Sequence, residues 1–164
     1  MTLEELFSKV IGTKVSIEYM SRDIPRGIRN NNPLNIKRNN IVWQGQRATQ
    51  SDKTFVQFET AAMGYRAAFM ILYNYINGHG WVSIDSIIKH WAPSSENDTE
   101  RYINTVVRLS KIDRHKFLMF EYVNLMTDLV RAMAIVENGY GWVDEEDLQK
   151  GYELAYNSVK HIRK

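Results

Sequence analysis

From residue 60 to the end of the chain, apolar residues recur at helical spacing in five successive segments, each with its own start and stop signals. That commits most of the chain to helix. Thr60 reads as an N-cap, Met63, Ala67, Met70, Ile71 and Asn74 share a face, and Gly78 stops the run. A second helix, capped by Ser83, carries Ile84, Ile87 and Ile88 to Trp91, where Ala92-Pro93 ends it. The third starts at Asp98 or Thr99 and carries Tyr102, Ile103, Val106 and Val107. A long fourth helix is predicted over residues 116–136, from Leu118 and Tyr122 to Met133 and Val136. The fifth follows Asp144, with acids in its first turn and basic residues near its end, as the helix dipole favours.

Ahead of Thr60 the pattern is different. Loosely spaced apolar residues over 3–19 predict a short helix. Residues 26–40 hold six asparagines, a glycine and a proline. That is loop chemistry, because asparagine side chains bond nearby backbone and tolerate left-handed conformations. Two short runs rich in β-branched and aromatic residues, IVWQGQ and KTFVQF, flank polar RATQSD and predict a small β-hairpin. The expected fold is mainly α, one domain over residues 1–164 with a hairpin toward its N-terminal side. With 44% hydrophobic residues the chain can bury a sizeable core of its own.

Composition removes several function classes. There is no cysteine, so disulfides, thiolate metal sites and a cysteine nucleophile are excluded. His79, His90, His115 and His161 have no pair at i,i+4 spacing, so no metal and no cofactor is expected. No window is long and apolar enough to span a membrane. The start, MTLEELFSKV, carries two glutamates and does not read as a secretory signal, so cytoplasmic synthesis is expected. Net charge is only +2, yet between residues 22 and 53 seven basic side chains face two acidic ones, Asp23 and Asp52. Such a surface attracts a polyanion, whether cell wall, nucleic acid or lipid headgroups, or is simply a solvated loop. A nucleic-acid binder using Trp43, Phe55 and Phe58 is a weaker reading.

Three clusters can carry chemistry. Glu137 ends the long apolar helix and is followed by Asn138-Gly139. A helix C-terminus disfavours a carboxylate, and desolvation by aromatic neighbours such as Tyr140 and Trp142 would raise its pKa further. Those are the needs of a general acid that protonates a glycosidic oxygen. The plainer alternative is an exposed residue before a glycine cap. The segment RGIRNNNPLNIK offers Asn30, Asn31, Asn32 and Asn35 to sugar hydroxyls and acetamido groups, with Trp43 as a stacking face, unless the asparagines only brace the loop. The third, HWAPSSENDTERYI, sets Trp91, Glu96, Asn97, Asp98 and Thr99 between two helices. Glu96 is the best partner carboxylate for Glu137, with Asp52 and Glu59 behind it.

Together, RGIRNNNPLNI, Trp43-Gln44-Gly45, Phe58 with Gly64-Tyr65-Arg66-Ala67, WAPSSENDTERYI and Glu137-Asn138-Gly139 resemble a family of phage and prophage proteins of lysozyme-like or lytic-transglycosylase type, some described only as virion structural proteins. The resemblance implies a lysozyme-like single domain that cleaves peptidoglycan glycan strands. It implies Glu137 and Glu96 as catalytic residues, and Asn31, Asn32, Asn35, Trp43, Arg66, Trp91 and Asn97 as substrate-binding ones. Its alternative is a non-catalytic virion or wall-binding component, with other virion proteins as partners. Either would act at the wall after release or from a particle. NPLNIK, WQG and FVQFETAAMGYRAAF are also similar, in that order, to flagellar-type glucosaminidases, which keep their catalytic glutamate upstream. Here the matching form, AMAIVENGYGW, lies near the C-terminus, as expected if the site is circularly permuted.

Overall fold

The computed structural model describes residues 23–162, and the helix expected over 3–19 lies outside them. The described chain is mainly helical: α1 (Arg26–Arg29), α2 (Ala61–Tyr73), α3 (Ile84–Trp91), α4 (Thr99–Ser110), α5 (Val123–Asn138) and α6 (Glu145–Val159). A π-helical turn, Asn74–Gly78, extends α2 to the predicted glycine stop.

The caps explain the boundaries. Thr60 Oγ1 accepts the Met63 amide at 3.2 Å, and Asp144 Oδ1 accepts that of Asp147 at 3.0 Å. Ser83 and Ser86 form a reciprocal capping box on α3, and Asp98 caps α4. The fourth predicted helix begins later than its apolar spacing suggested. Residues 116–122 are not helical because their backbone bonds elsewhere: the Leu118 amide donates to Val82 O at 2.7 Å. Leu118 and Phe120 are buried nonetheless, Phe120 against Tyr73 and Tyr152. At the other end of the chain α6 stops at Val159, so basic Lys160 is its C-cap rather than part of its last turn.

The expected hairpin is not formed, and no strand occurs among the described residues. IVWQGQ and KTFVQF meet at one antiparallel bridge, Gln46 to Phe58, while Phe55 bridges to Lys37 in the asparagine-rich loop. Side-chain amides take the places that a ladder would use. Asn32 Nδ2 donates to Ile36 O and Val56 O, and Gln57 accepts the Ser51 amide at 2.7 Å. Ile41 and Val42, the apolar start of the first run, are exposed.

The buried side chains form a continuous core from Leu34 through Phe58, Phe69, Ile87, Ile103, Met126 and Leu129 to Val159. Its most extensive helix pairing is α2 with α6, and α4 packs along α5. Gly151 makes the first crossing tight, since a Cβ there would lie 2.5 Å from Tyr65 Cβ. Gly64 does the same for the asparagine loop, where a Cβ would lie 2.1 Å from Asn31 O. The Gly64 approach fixes the loop on α2, and α1 lies against α5. The loop is therefore held beside the end of α5, where Glu137 sits.

Candidate functional site

Glu137 is in the last turn of α5, and its carboxyl closes one side of a cleft of about 710 Å³. Three elements converge on it. Asn35 Nδ2 donates to Oε2 at 2.9 Å, and the Tyr102 hydroxyl of α4 donates to Oε1 at 3.2 Å. Trp91, at the end of α3, makes a smaller hydrogen-bonding contribution to the same carboxyl. Burial pushes the Glu137 pKa up, and the bonds from Asn35, Tyr102 and Trp91 oppose it without cancelling it. The negative end of α5 acts in the same direction as burial. Tyr102 stays a proton donor, because burial and then the charge of Glu137 hold its own pKa well above the usual tyrosine value.

The loop that delivers Asn35 is built by its asparagines. Asn31 and Asn35 both adopt φ of 50°, a left-handed conformation that asparagine tolerates better than most side chains. Asn32, 0% exposed, clamps the loop with Nδ2 on Ile36 O and Val56 O and Oδ1 on the Ile36 amide. Asn138 Nδ2 reaches across from α5 to Pro33 O at 2.7 Å. On the far wall, the Thr99 hydroxyl donates to Ala92 O and closes the loop that presents Glu96 and Asn97.

Of the residues singled out in the sequence, Asn35, Trp91, Glu96, Asn97 and Glu137 line this one cleft, with Phe55, Tyr75 and His90. Glu96 differs in kind from Glu137: it is exposed and paired with Lys37 at 2.9 Å. The others lie elsewhere. Asn31 and Asn32 bond backbone, as described for loop bracing. Trp43 is half-buried against the core, and Arg66 on α2 bonds Ser158 of α6. Asp52 anchors Arg26 through two bonds of 2.7 and 2.6 Å and holds α1, outside the cleft. Tyr140 and Trp142 do not shield Glu137, being 68% and 39% exposed.

Sequence reasoning missed Tyr102, which helical spacing marks only as a core position. The available signal is chemical: a tyrosine buried on an amphipathic helix must find a partner for its hydroxyl. Nor does the sequence show that Asn138, beyond its place beside Glu137 and before the Gly139 cap, ties α5 to the loop through Pro33 O. Among the described residues there is no cluster of histidine and acidic side chains able to hold a metal, and no helix long and apolar enough to cross a membrane.

No protein-family model matches the chain. It is 40% identical over 134 residues to Protein P5 of Pseudoalteromonas phage PM2, covering 80% of this chain and 82% of that protein.

Proposed function

The chain belongs to the family of Protein P5 of Pseudoalteromonas phage PM2, and from that premise we propose that it cleaves the glycan strands of peptidoglycan at the Glu137 cleft. The observation that carries the proposal is the environment of Glu137: a carboxyl with raised pKa, at the edge of a cleft, held by Asn35, Tyr102 and Trp91. A protonated Glu137 gives its proton to the glycosidic oxygen as the bond to the anomeric carbon breaks. The resulting carboxylate then accepts a proton from the nucleophile.

Asn35 and Tyr102 orient the carboxyl and stabilise it once it has lost its proton. Trp91, Tyr75 and Phe55 offer apolar ring surface to sugar faces, and Asn97 offers an amide to acetamido groups. Among the described residues, Glu137 is the one acid lining the cleft that is not exposed; Glu96 is exposed and paired with Lys37. One carboxyl serving as acid and then base suits a lytic transglycosylase, in which a hydroxyl of the sugar attacks, better than a two-carboxylate hydrolase. The proposal includes a lysozyme-like fold whose elements are permuted relative to the glucosaminidases that its loop resembles.

Digestion of purified sacculi, with soluble products identified by mass spectrometry, tests this reading. Anhydro-muramyl ends are expected, and new reducing ends would instead assign a hydrolase. A second reading, a wall-binding virion component, is favoured by the aromatic lining of the cleft and by the viral origin of the relative. Protein that binds sacculi and releases nothing would establish the second reading and refute the first.

A further inference from the structure

The cleft is not the only cavity that reaches this corner of the molecule. A second one, of about 390 Å³, lies between α4 and the end of α5. Asn97 lines both cavities, and Tyr102, whose hydroxyl bonds Glu137, also lines the second. The second cavity therefore adjoins the cleft at Asn97 and lies on the other side of Tyr102 from the acid it bonds.

Charge decides what this cavity can take. Arg101 and Arg108 both line it from α4. Seven residues apart, they sit on one helix face about 10 Å from each other along the axis. Both are exposed, and among the described residues neither guanidinium has an acidic partner. That sets them apart from Arg26, Arg114 and Arg131, each of which is paired with a carboxylate. The acid in the lining, Asp98, is engaged as the N-cap of α4, where its Oδ1 accepts the Arg101 amide at 3.1 Å. Free guanidinia in a cavity suit carboxylates, which they bind through paired N–H donors. Facing them is Tyr140, carried between Gly139 and Gly141 at φ of 86° and 88°.

We propose that the Arg101–Arg108 cavity is a subsite for the carboxylates of the peptide stems that peptidoglycan strands carry. It holds them beside the bond cleaved at Glu137. The proposal rests on the reading of the cleft given above, since the glycan places its stems in this cavity only if the strand runs through the cleft.

The test compares two substrates. Glycan strands bearing their stems, and the same strands stripped of stems by an amidase, are digested by the wild-type protein and by the Arg101→Gln/Arg108→Gln double variant. Both arginines are exposed, and an unchanged Tm confirms that the variant is folded. The wild type is expected to prefer stem-bearing strands, roughly tenfold in kcat/KM and through KM, with the preference shrinking as salt rises. In the double variant that preference falls toward one. A wild type without preference, or a double variant that keeps it, overturns the subsite. A wild type that cleaves neither substrate refutes the catalytic reading first, and the subsite falls with it.

Discussion

Replacing Gly27 by alanine sets two effects against each other at the junction that holds the site together. Gly27 lies in α1 with an ordinary helical backbone, so alanine gains helix propensity, at most about 0.5–1 kcal/mol and less in a helix of one turn. Against that, the new Cβ would lie 2.6 Å from Asn138 Oδ1, 2.7 Å from Asn35 Oδ1 and 2.9 Å from Asn32 O. Ordinary contact begins at 3.4 Å, so both asparagine amides must retreat by about 0.7–0.8 Å. Neither can do so freely. The Asn138 amide is bonded to Pro33 O at 2.7 Å, and the Asn35 amide is bonded to Glu137 at 2.9 Å. Overpacking of this kind costs about 1–3 kcal/mol. Sterics win, and Gly27→Ala should lose about 1–2 kcal/mol, read as a lower urea midpoint at unchanged slope and a fall in Tm of roughly 2–8 °C. An alanine variant as stable as the wild type, or more so, would refute the packing described here.

Other substitutions test the site one bond at a time. Asn35→Ala removes a donor to the Glu137 carboxylate, so the Glu137 pKa should rise further, seen as an upward move of the alkaline limb of the activity profile. Because folding already raises that pKa, the contribution of Glu137 to stability is complete below the carboxyl's unfolded pKa and is lost as pH rises through the folded one. Melting curves across pH should therefore show Glu137→Gln gaining on the wild type between acid and neutral pH; a constant gap would contradict the shift. Asp52 behaves in the opposite way. Arg26 and then backbone amides hold its carboxyl well below the usual range, so its stabilisation is complete above the carboxyl's unfolded pKa and is lost progressively as pH falls from there through the lowered folded pKa. Asp52→Ala should cost about 2–4 kcal/mol at pH 7 by urea denaturation, since a 7% exposed carboxylate with five donors is removed.

Helical spacing and caps made most of the fold legible. Thr60, Ser83, Asp98 and Asp144 each start a helix in the structure. Spacing failed over residues 116–122, where Leu118 and Phe120 are apolar because they are buried, while the Leu118 amide bonds Val82 O at the entry to α3 and only a turn, Tyr122 to Met119, bonds within the segment. The hairpin failed for a related reason. β-propensity reports side chains that pack well on a pleated surface, and Val56 and Phe58 are indeed packed in the core, but the asparagine and glutamine amides around them intercept the ladder. In the site, Glu137, Asn35 and Trp91 were readable from residue type and position. Asn31 and Asn32 were not separable from Asn35, because an asparagine that binds ligand and one that binds backbone have the same side chain, and only the fold says which amide faces the cleft. Tyr102 was hidden by its own burial.

The central claim, that Glu137 is the general acid of a glycan-cleaving cleft, is tested most directly by the rate of product release from sacculi by the wild type and by Glu137→Gln at matched folding. The account predicts a loss of roughly 10²–10⁴-fold in the variant, the usual share of a general acid. Release at the wild-type rate by Glu137→Gln would contradict it.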